Sequence, residues 1–186
     1  MIADKSRADW FGASDTTTIM GKWTSKTFEK WWLQKLGINN DNFNNVYTLA
    51  GTHFEHPILE SLNLPMELDK QIILPELRLR INLDGNTVDT IYECKTYKDG
   101  NKFYPSKYEK QVQVQMFGSG LRKAFIVAYP LTEKEYNNFL LDIDTAKIEF
   151  YAVEYDETFI TKYLVRLRYL ADCLDKGKFP QIKEII

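Results

Sequence analysis

The sequence predicts one α/β (α+β) domain, a central mixed β-sheet flanked by helices. Three observations lead there. Leu79, Ile81 and Leu83 alternate with Arg78, Arg80 and Asn82, the period-two pattern of a half-buried strand. Two further strand-like runs, 90–95 and 122–129, are separated by a helical stretch at 106–118. A strand–helix–strand crossover implies parallel pairing, which makes the sheet mixed. Finally, 157–176 carries apolar residues at helical spacing, with Gly177 to end it. A length of 186 residues fits a single domain, 1–186, with room for one core.

Composition narrows the class. Hydrophobic residues make up 44% and aromatics 14%, so the chain can bury a core and is not disordered. Cys94 and Cys173 are too few for a disulfide framework and lack a Cys-x-x-Cys spacing, which points to a reducing, cytoplasmic compartment. The start, MIADKSRADWFG, has no apolar h-region, so no signal peptide is expected, and no apolar run is long enough to span a bilayer. The net charge of −2 counts mildly against nucleic acid, but distribution matters more than the sum. Lysines group at Lys22, Lys26, Lys30 and Lys35, and again at Lys95, Lys98, Lys102, Lys107 and Lys110, while acids concentrate in 133–157. A basic groove on an acidic protein is compatible with this.

The elements follow in order. Residues 7–21 read as a turn and then a helix, with Ser14 as N-cap and Gly21 as stop. With Arg7 nearby, such a helix start is either an anion pocket or plain capping. A second helix, capped by Thr24 or Ser25 and ended by Gly37, presents Phe28, Trp31, Trp32, Leu33 and Leu36 to the core. Residues 38–45 form a polar loop. Residues 46–63 read as a helix with Pro57 near a bend or first turn; Phe54, Ile58, Leu59 and Leu62 face inward and Glu55 outward. His53, His56 and Glu60 could share a face and bind zinc, although surface histidines are the simpler reading. Residues 70–74 form a strand.

On the 106–118 helix, Tyr108, Gln111 and Gln115 share one face, Val112, Met116 and Phe117 point to the core, and Gln113 points elsewhere. Uncharged amides facing a polar site can bond phosphate oxygens or water. After Pro130 comes a short helix. Residues 139–143 and 146–155 are expected as a hairpin turned at Asp144-Thr145. Arg166 and Arg168, on the last helix, are expected in solvent.

The chemistry concentrates in Asp84–Lys95. On a strand Glu93 and Lys95 share a face, with Cα atoms roughly 6–7 Å apart, and Cys94 points the other way. Asp84-Gly85-Asn86 would usually mark the turn itself, which would strand Asp84 far from Glu93. A turn near Val88-Asp89 brings Asp84 across from Glu93, and this late turn is the expectation. The alternative is an ordinary amphipathic hairpin with a charged wet face.

Taken together, four blocks resemble the lambda exonuclease and YqaJ-type viral recombinase nucleases, a branch of the PD-(D/E)XK superfamily. Arg7 with Gly12-Ala13-Ser14-Asp15 is similar to the Arg-x(6)-Ser block. Gly51-Thr52-His53-Phe54-Glu55 is similar to the Gly-x-x-x-Glu helix. Leu83-Asp84-Gly85 with Glu93-Cys94-Lys95 matches the metal-binding core, Leu83 standing where the family often has Pro. Tyr108-Glu109-Lys110-Gln111-Val112-Gln113 matches the Tyr-x-x-Gln-x-Gln helix.

The resemblance implies a restriction-endonuclease-like core and a set of roles. Asp84, Glu93 and the Cys94 carbonyl would hold Mg²⁺, with Mn²⁺ able to substitute. Lys95 would position the attacking water, Glu55 would sit beside a second ion, and Gln111 would contact water or phosphate. Arg7 and Ser14 would hold a 5′-phosphate, and Tyr108, Gln113 and Gln115 are further candidate DNA contacts. The implied activity is 5′-to-3′ digestion of linear duplex DNA for phage-type recombination, beside a single-strand-annealing partner. A restriction-type or structure-specific endonuclease, or a non-catalytic DNA-binding module, are the alternatives. The resemblance also implies a homo-oligomer, a ring-shaped trimer in the family; the chain is short for the family, so the loops that close such a ring, and with them trimerisation, are left open, and two cysteines cannot ligate an iron–sulfur cluster.

Overall fold

The computed structural model describes residues 8–38 and 46–181. Arg7 and most of the 38–45 loop lie outside the described residues. Five strands, β1 (Glu67–Leu74), β2 (Leu79–Asn86), β3 (Thr90–Lys98), β4 (Lys123–Leu131) and β5 (Glu149–Glu154), lie side by side in sequence order. All neighbours are antiparallel except β3 and β4, which run parallel. Helix α4 (Glu109–Ser119) makes that crossover. The sheet is therefore mixed and the architecture α+β.

Two apolar layers cover the sheet, as a sheet with helices on both faces requires. One is built from Phe28, Trp31 and Trp32 of α2 (Lys26–Lys35), Val112, Val114 and Met116 of α4, and the buried stripe of α6 (Glu157–Asp175), over Leu79, Ile81, Leu83, Ile91 and Ile126. The other packs Ala50, Phe54, Ile58 and Leu59 of α3 (Val46–Glu60) on Cys94, Val127, Tyr129 and Leu131. Pro57 sits inside α3, which runs through it. Helix α4 starts three residues later than the 106 expected, because Pro105–Lys107 forms a 3-10 turn first.

Several expectations are corrected. Ser14 does not cap a helix: it is exposed in the middle of a 3-10 turn, Ala13–Asp15, ahead of the short α1 (Thr16–Ile19). The polar anchor here is Asp15, whose Oδ2 accepts the Gly12 N–H at 2.8 Å and whose Oδ1 accepts the Trp31 indole N–H at 2.9 Å. Lys35 is not part of a basic surface; it is buried, 2.6 Å from Asp15 Oδ2, and donates to the Trp10 carbonyl. Arg166 is half-buried and bonded rather than free in solvent. Its guanidinium donates to the Met20 and Gly21 carbonyls at 2.6 and 3.0 Å and lies 4.7 Å from the Trp23 ring, so it closes the end of α1.

The hairpin expected at Asp144-Thr145 is absent. Residues 139–143 form no strand; Phe139 stacks on His53 and meets the edge of Phe54, and Leu140 is exposed. The free side of β4 is taken by β5 instead, after the short helix α5 (Glu133–Asn137) and a 3-10 turn, Thr145–Lys147. Phe139 to Ile143 lacks strict alternation, and its apolar side chains find α3 rather than a partner strand.

Candidate functional site

The β2–β3 hairpin turns late. Thr87 N–H donates to the Thr90 carbonyl at 2.9 Å, and the strands pair only at Asn86↔Ile91 and Gly85↔Tyr92. Past Gly85 the ladder stops. There the Asp84 side chain, not a backbone carbonyl, accepts the Cys94 N–H at 2.8 Å. The strands part at this point into a fork, and Asp84, Glu93 and Lys95 come together in it.

Glu93 is fully buried at the fork. Its Oε1 accepts hydrogen bonds from the Lys95 ammonium and the Gln111 amide, and its Oε2 from the Gln115 amide. The Lys95 ammonium also lies 4.0 Å from Asp84 Oδ2 and 5.5 Å from the Tyr108 ring, which itself stacks on Phe103. Glu55 approaches from α3, half-buried and electrostatically linked to Lys95 and Glu93.

Crowded carboxylates shift one another. Burial, then the charge of Glu93, holds Asp84 well above the ordinary carboxylate range. Burial also raises Glu55, partly offset by Lys95. For Lys95, burial disfavours the ammonium, but Glu93 and Asp84 outweigh it and raise its pKa. The Cys94 thiol, buried in the second apolar layer, is pushed up by that burial and is no thiolate nucleophile.

Three carboxylates thus face one ammonium. Hard oxygen donors in excess of positive charge suit a hard divalent cation such as Mg²⁺ or Mn²⁺, and the donor set fits such an ion. Asp84 and Glu93 could hold it, with Glu55 to one side.

The zinc group considered from sequence is rearranged. His53 stacks on Phe139 and Glu60 is exposed. His56 instead pairs with Asp69, Nε2 to Oδ2 at 3.2 Å, and Glu55, His56 and Asp69 bring ligand atoms within 4.8 Å of one another. Sequence reading missed Asp69. It lies in β1 between the pairs Leu68↔Gly85 and Lys70↔Leu83 with a left-handed φ of 57°, a conformation that its residue type alone does not announce.

Two of the candidate DNA contacts are not at the surface. Gln113 is buried with both ends of its amide used: it donates to the Glu154 carbonyl and accepts the Asp156 N–H, which ties β5 to the start of α6. Gln115 is buried behind Glu93. Tyr108 lies beside Lys95 and is half-buried. Next to it, exposed Lys102 and Lys107 flank the Tyr104 ring at 5.3 and 5.2 Å, and Lys98 and Lys110 are exposed too.

No protein-family model and no curated protein sequence matches the chain. Solved structures do. An alkaline exonuclease, LHK-Exo, from Laribacter hongkongensis superposes with a TM-score of 0.69 at 18% identity, over 92% of this chain and 90% of that one. Its complex with dAMP gives 0.68 over the same shares. A phage-related exonuclease from Haemophilus somnus 129PT gives 0.62 at 16% identity, over 90% of this chain and 96% of that one. The chain has the fold of these exonucleases. Beside these two it is of similar length, where the sequence reading takes it as short for the family.

Proposed function

We propose that the chain is a divalent-metal-dependent deoxyribonuclease that digests linear duplex DNA from its ends, 5′ to 3′, starting at a 5′-phosphate. The observation that carries this reading is the fork, where Asp84, Glu93, Lys95 and Gln111 meet on a fold shared with exonucleases. LHK-Exo has been solved with dAMP, a mononucleotide of the kind that stepwise cleavage would release.

Asp84, Glu93 and the Cys94 carbonyl would hold Mg²⁺, or Mn²⁺ in its place, and Glu55 would serve a second ion. Bound there, the metal would supply an activated water and neutralise charge on the phosphate. Lys95 would orient that water, since its ammonium is already held at the two carboxylates. Gln111, bonded to Glu93 Oε1, would contact the water or a phosphate oxygen near the same point. Arg7 and the exposed Ser14 would engage the 5′-phosphate. Tyr104, Lys102 and Lys107 lie on the approach to Tyr108 and supply an aromatic and basic surface for a strand. The product, a 3′ overhang, is what a single-strand-annealing protein of a phage-type recombination system consumes. Such a partner, assembly into a ring-shaped trimer and action in the cytoplasm all belong to this proposal.

The test is digestion of linear duplex DNA with and without a 5′-phosphate, beside a covalently closed circle, in Mg²⁺ and in EDTA, with Glu93→Ala as control. Loss of the 5′-phosphorylated linear DNA alone, only in Mg²⁺ and not with the variant, is the expected result. Nicking of the circle would move the assignment to an endonuclease, and binding without cleavage to a non-catalytic module.

A further inference from the structure

We infer that Gln115 is a positioning residue that fixes the separation of the two metal-holding carboxylates, an inference that rests on the metal-dependent reading above. Its amide nitrogen donates twice, once to Glu93 Oε2 on β3 and once to the Asn82 carbonyl on β2, the latter at 3.1 Å. Both acceptors lie past the end of the β2–β3 ladder, where the pairs Gly85↔Tyr92 and Asn86↔Ile91 have run out. One side-chain amide therefore braces the two strands in the place where backbone pairing no longer does, and Asp84 and Glu93 sit on those two strands.

The brace is rigid at its other end. Val114 and Met116, on either side of Gln115 in α4, are fully buried in the first apolar layer. One turn on, Gly118 packs so close to β2 that an added Cβ would stand 2.2 Å from Ile81 Cδ1. Helix α4 is thus seated directly on β2, and Gln115 reaches from it to β3. Gln115 is itself fully buried, so it reaches no DNA. By taking Oε2, it leaves Oε1 as the Glu93 oxygen that meets Lys95 and Gln111. Partners of this kind, behind a ligating carboxylate, typically contribute 10–100-fold to metal affinity.

Gln113 supplies the control. It too is buried and lies on the same helix, with both ends of its amide bonded, but its partners are the Glu154 carbonyl and the Asp156 N–H, away from the fork. Mn²⁺ binding would be measured by electron paramagnetic resonance, without DNA, on the wild-type protein, Gln115→Met and Gln113→Met. We expect Gln115→Met to bind Mn²⁺ about 10–100-fold more weakly. Its cleavage should recover at raised Mn²⁺ with an unchanged KM for DNA. Gln113→Met should melt at a lower temperature yet keep wild-type Mn²⁺ affinity. Unaltered affinity in Gln115→Met, or an equal loss in both variants, would overturn the inference alone. Absence of Mn²⁺ binding in the wild-type protein would overturn the metal-dependent reading and the inference with it. If Gln115→Met does not fold, the wild-type protein decides. The side-chain amide signal of Gln115, assigned by its contacts to Glu93 and Asn82, should move on addition of Mg²⁺ while that of Gln113 stays. A Gln115 signal that does not move overturns the inference.

Discussion

The carboxylate of Asp84 accepts the backbone N–H of Cys94 at 2.8 Å, the bond at which the β2–β3 ladder ends. One side chain thus opens the sheet and is delivered to the opening. Its cost is a carboxylate held beside Glu93 in a largely buried place, with its pKa raised by burial and by that neighbour.

Asp84→Asn should therefore separate stability from activity. An acid whose pKa is raised by folding destabilises the folded state at every pH above its unfolded value of 3.8, up to a plateau beyond its folded value. Asparagine keeps an oxygen for the Cys94 N–H and removes the charge. In EDTA the variant should gain about 1 kcal/mol, or roughly 2–4 °C in Tm, as removal of functional strain commonly does. Its cleavage of linear DNA in Mg²⁺ should vanish. Parallel thermal melts and digestion assays check this, and a lower Tm would count against the account of the fork.

The buried pair of Asp15 and Lys35 makes a contrasting case. Lys35 lies 2.6 Å from Asp15, which also holds the Gly12 N–H and the Trp31 indole. Removing one member of such a pair leaves an uncompensated buried charge, which costs about 3–5 kcal/mol. Asp15→Ala should lose stability on that scale in urea unfolding. The double variant Asp15→Ala/Lys35→Met should recover part of the loss, because it no longer buries an ammonium that has lost its carboxylate.

Which parts of this molecule can be read from its sequence follows from the range of the interactions involved. Asp84, Glu93 and Lys95 are legible because strand alternation and one late turn suffice to place them, and the turn does fall at Thr87–Asp89. The Tyr108, Gln111 and Gln115 face is legible from helical spacing, but not its depth: Gln115 is buried because α4 sits directly on Ile81. Arg166 meets the Met20 and Gly21 carbonyls some 145 residues earlier, an interaction that no local pattern encodes. Ser14 has cap chemistry, and Asp15, the next residue, takes the bond. Asp69 pairs with His56 from a left-handed backbone position that its residue type does not require.

The basic patch beside the site should act on DNA binding and not on chemistry. Lys102 and Lys107 are exposed on either side of Tyr104 and touch none of the fork residues. Every phosphate that a lysine no longer neutralises lowers the slope of log affinity against log salt by about 0.9. Lys102→Ala/Lys107→Ala should raise KM for duplex DNA severalfold, flatten its salt dependence by roughly 1–2 in slope, and leave kcat unchanged. Steady-state kinetics over a range of KCl concentrations distinguish this from a fall in kcat, which would place these lysines in the chemical step.

Acid stability should report on Glu135. Burial works against its charge, but the Thr132 hydroxyl and N–H and the Tyr129 hydroxyl outweigh it, so its pKa lies below the ordinary 4.5. A depressed carboxylate stabilises the fold fully above its unfolded value and loses that contribution as pH falls through the lower, folded one. Glutamine in its place would lack the charge and would turn an N–H toward a donor. Glu135→Gln should therefore cost roughly 1–2 kcal/mol near pH 7, several degrees in Tm. The gap to the wild type should narrow as pH falls below the unfolded value of 4.5 and through the lower, folded one, where the wild-type carboxylate takes up its proton. Melting curves of both proteins across that range test the sign directly: a gap that widens in acid would mean that the Tyr129 and Thr132 bonds do not hold Glu135 in its charged form.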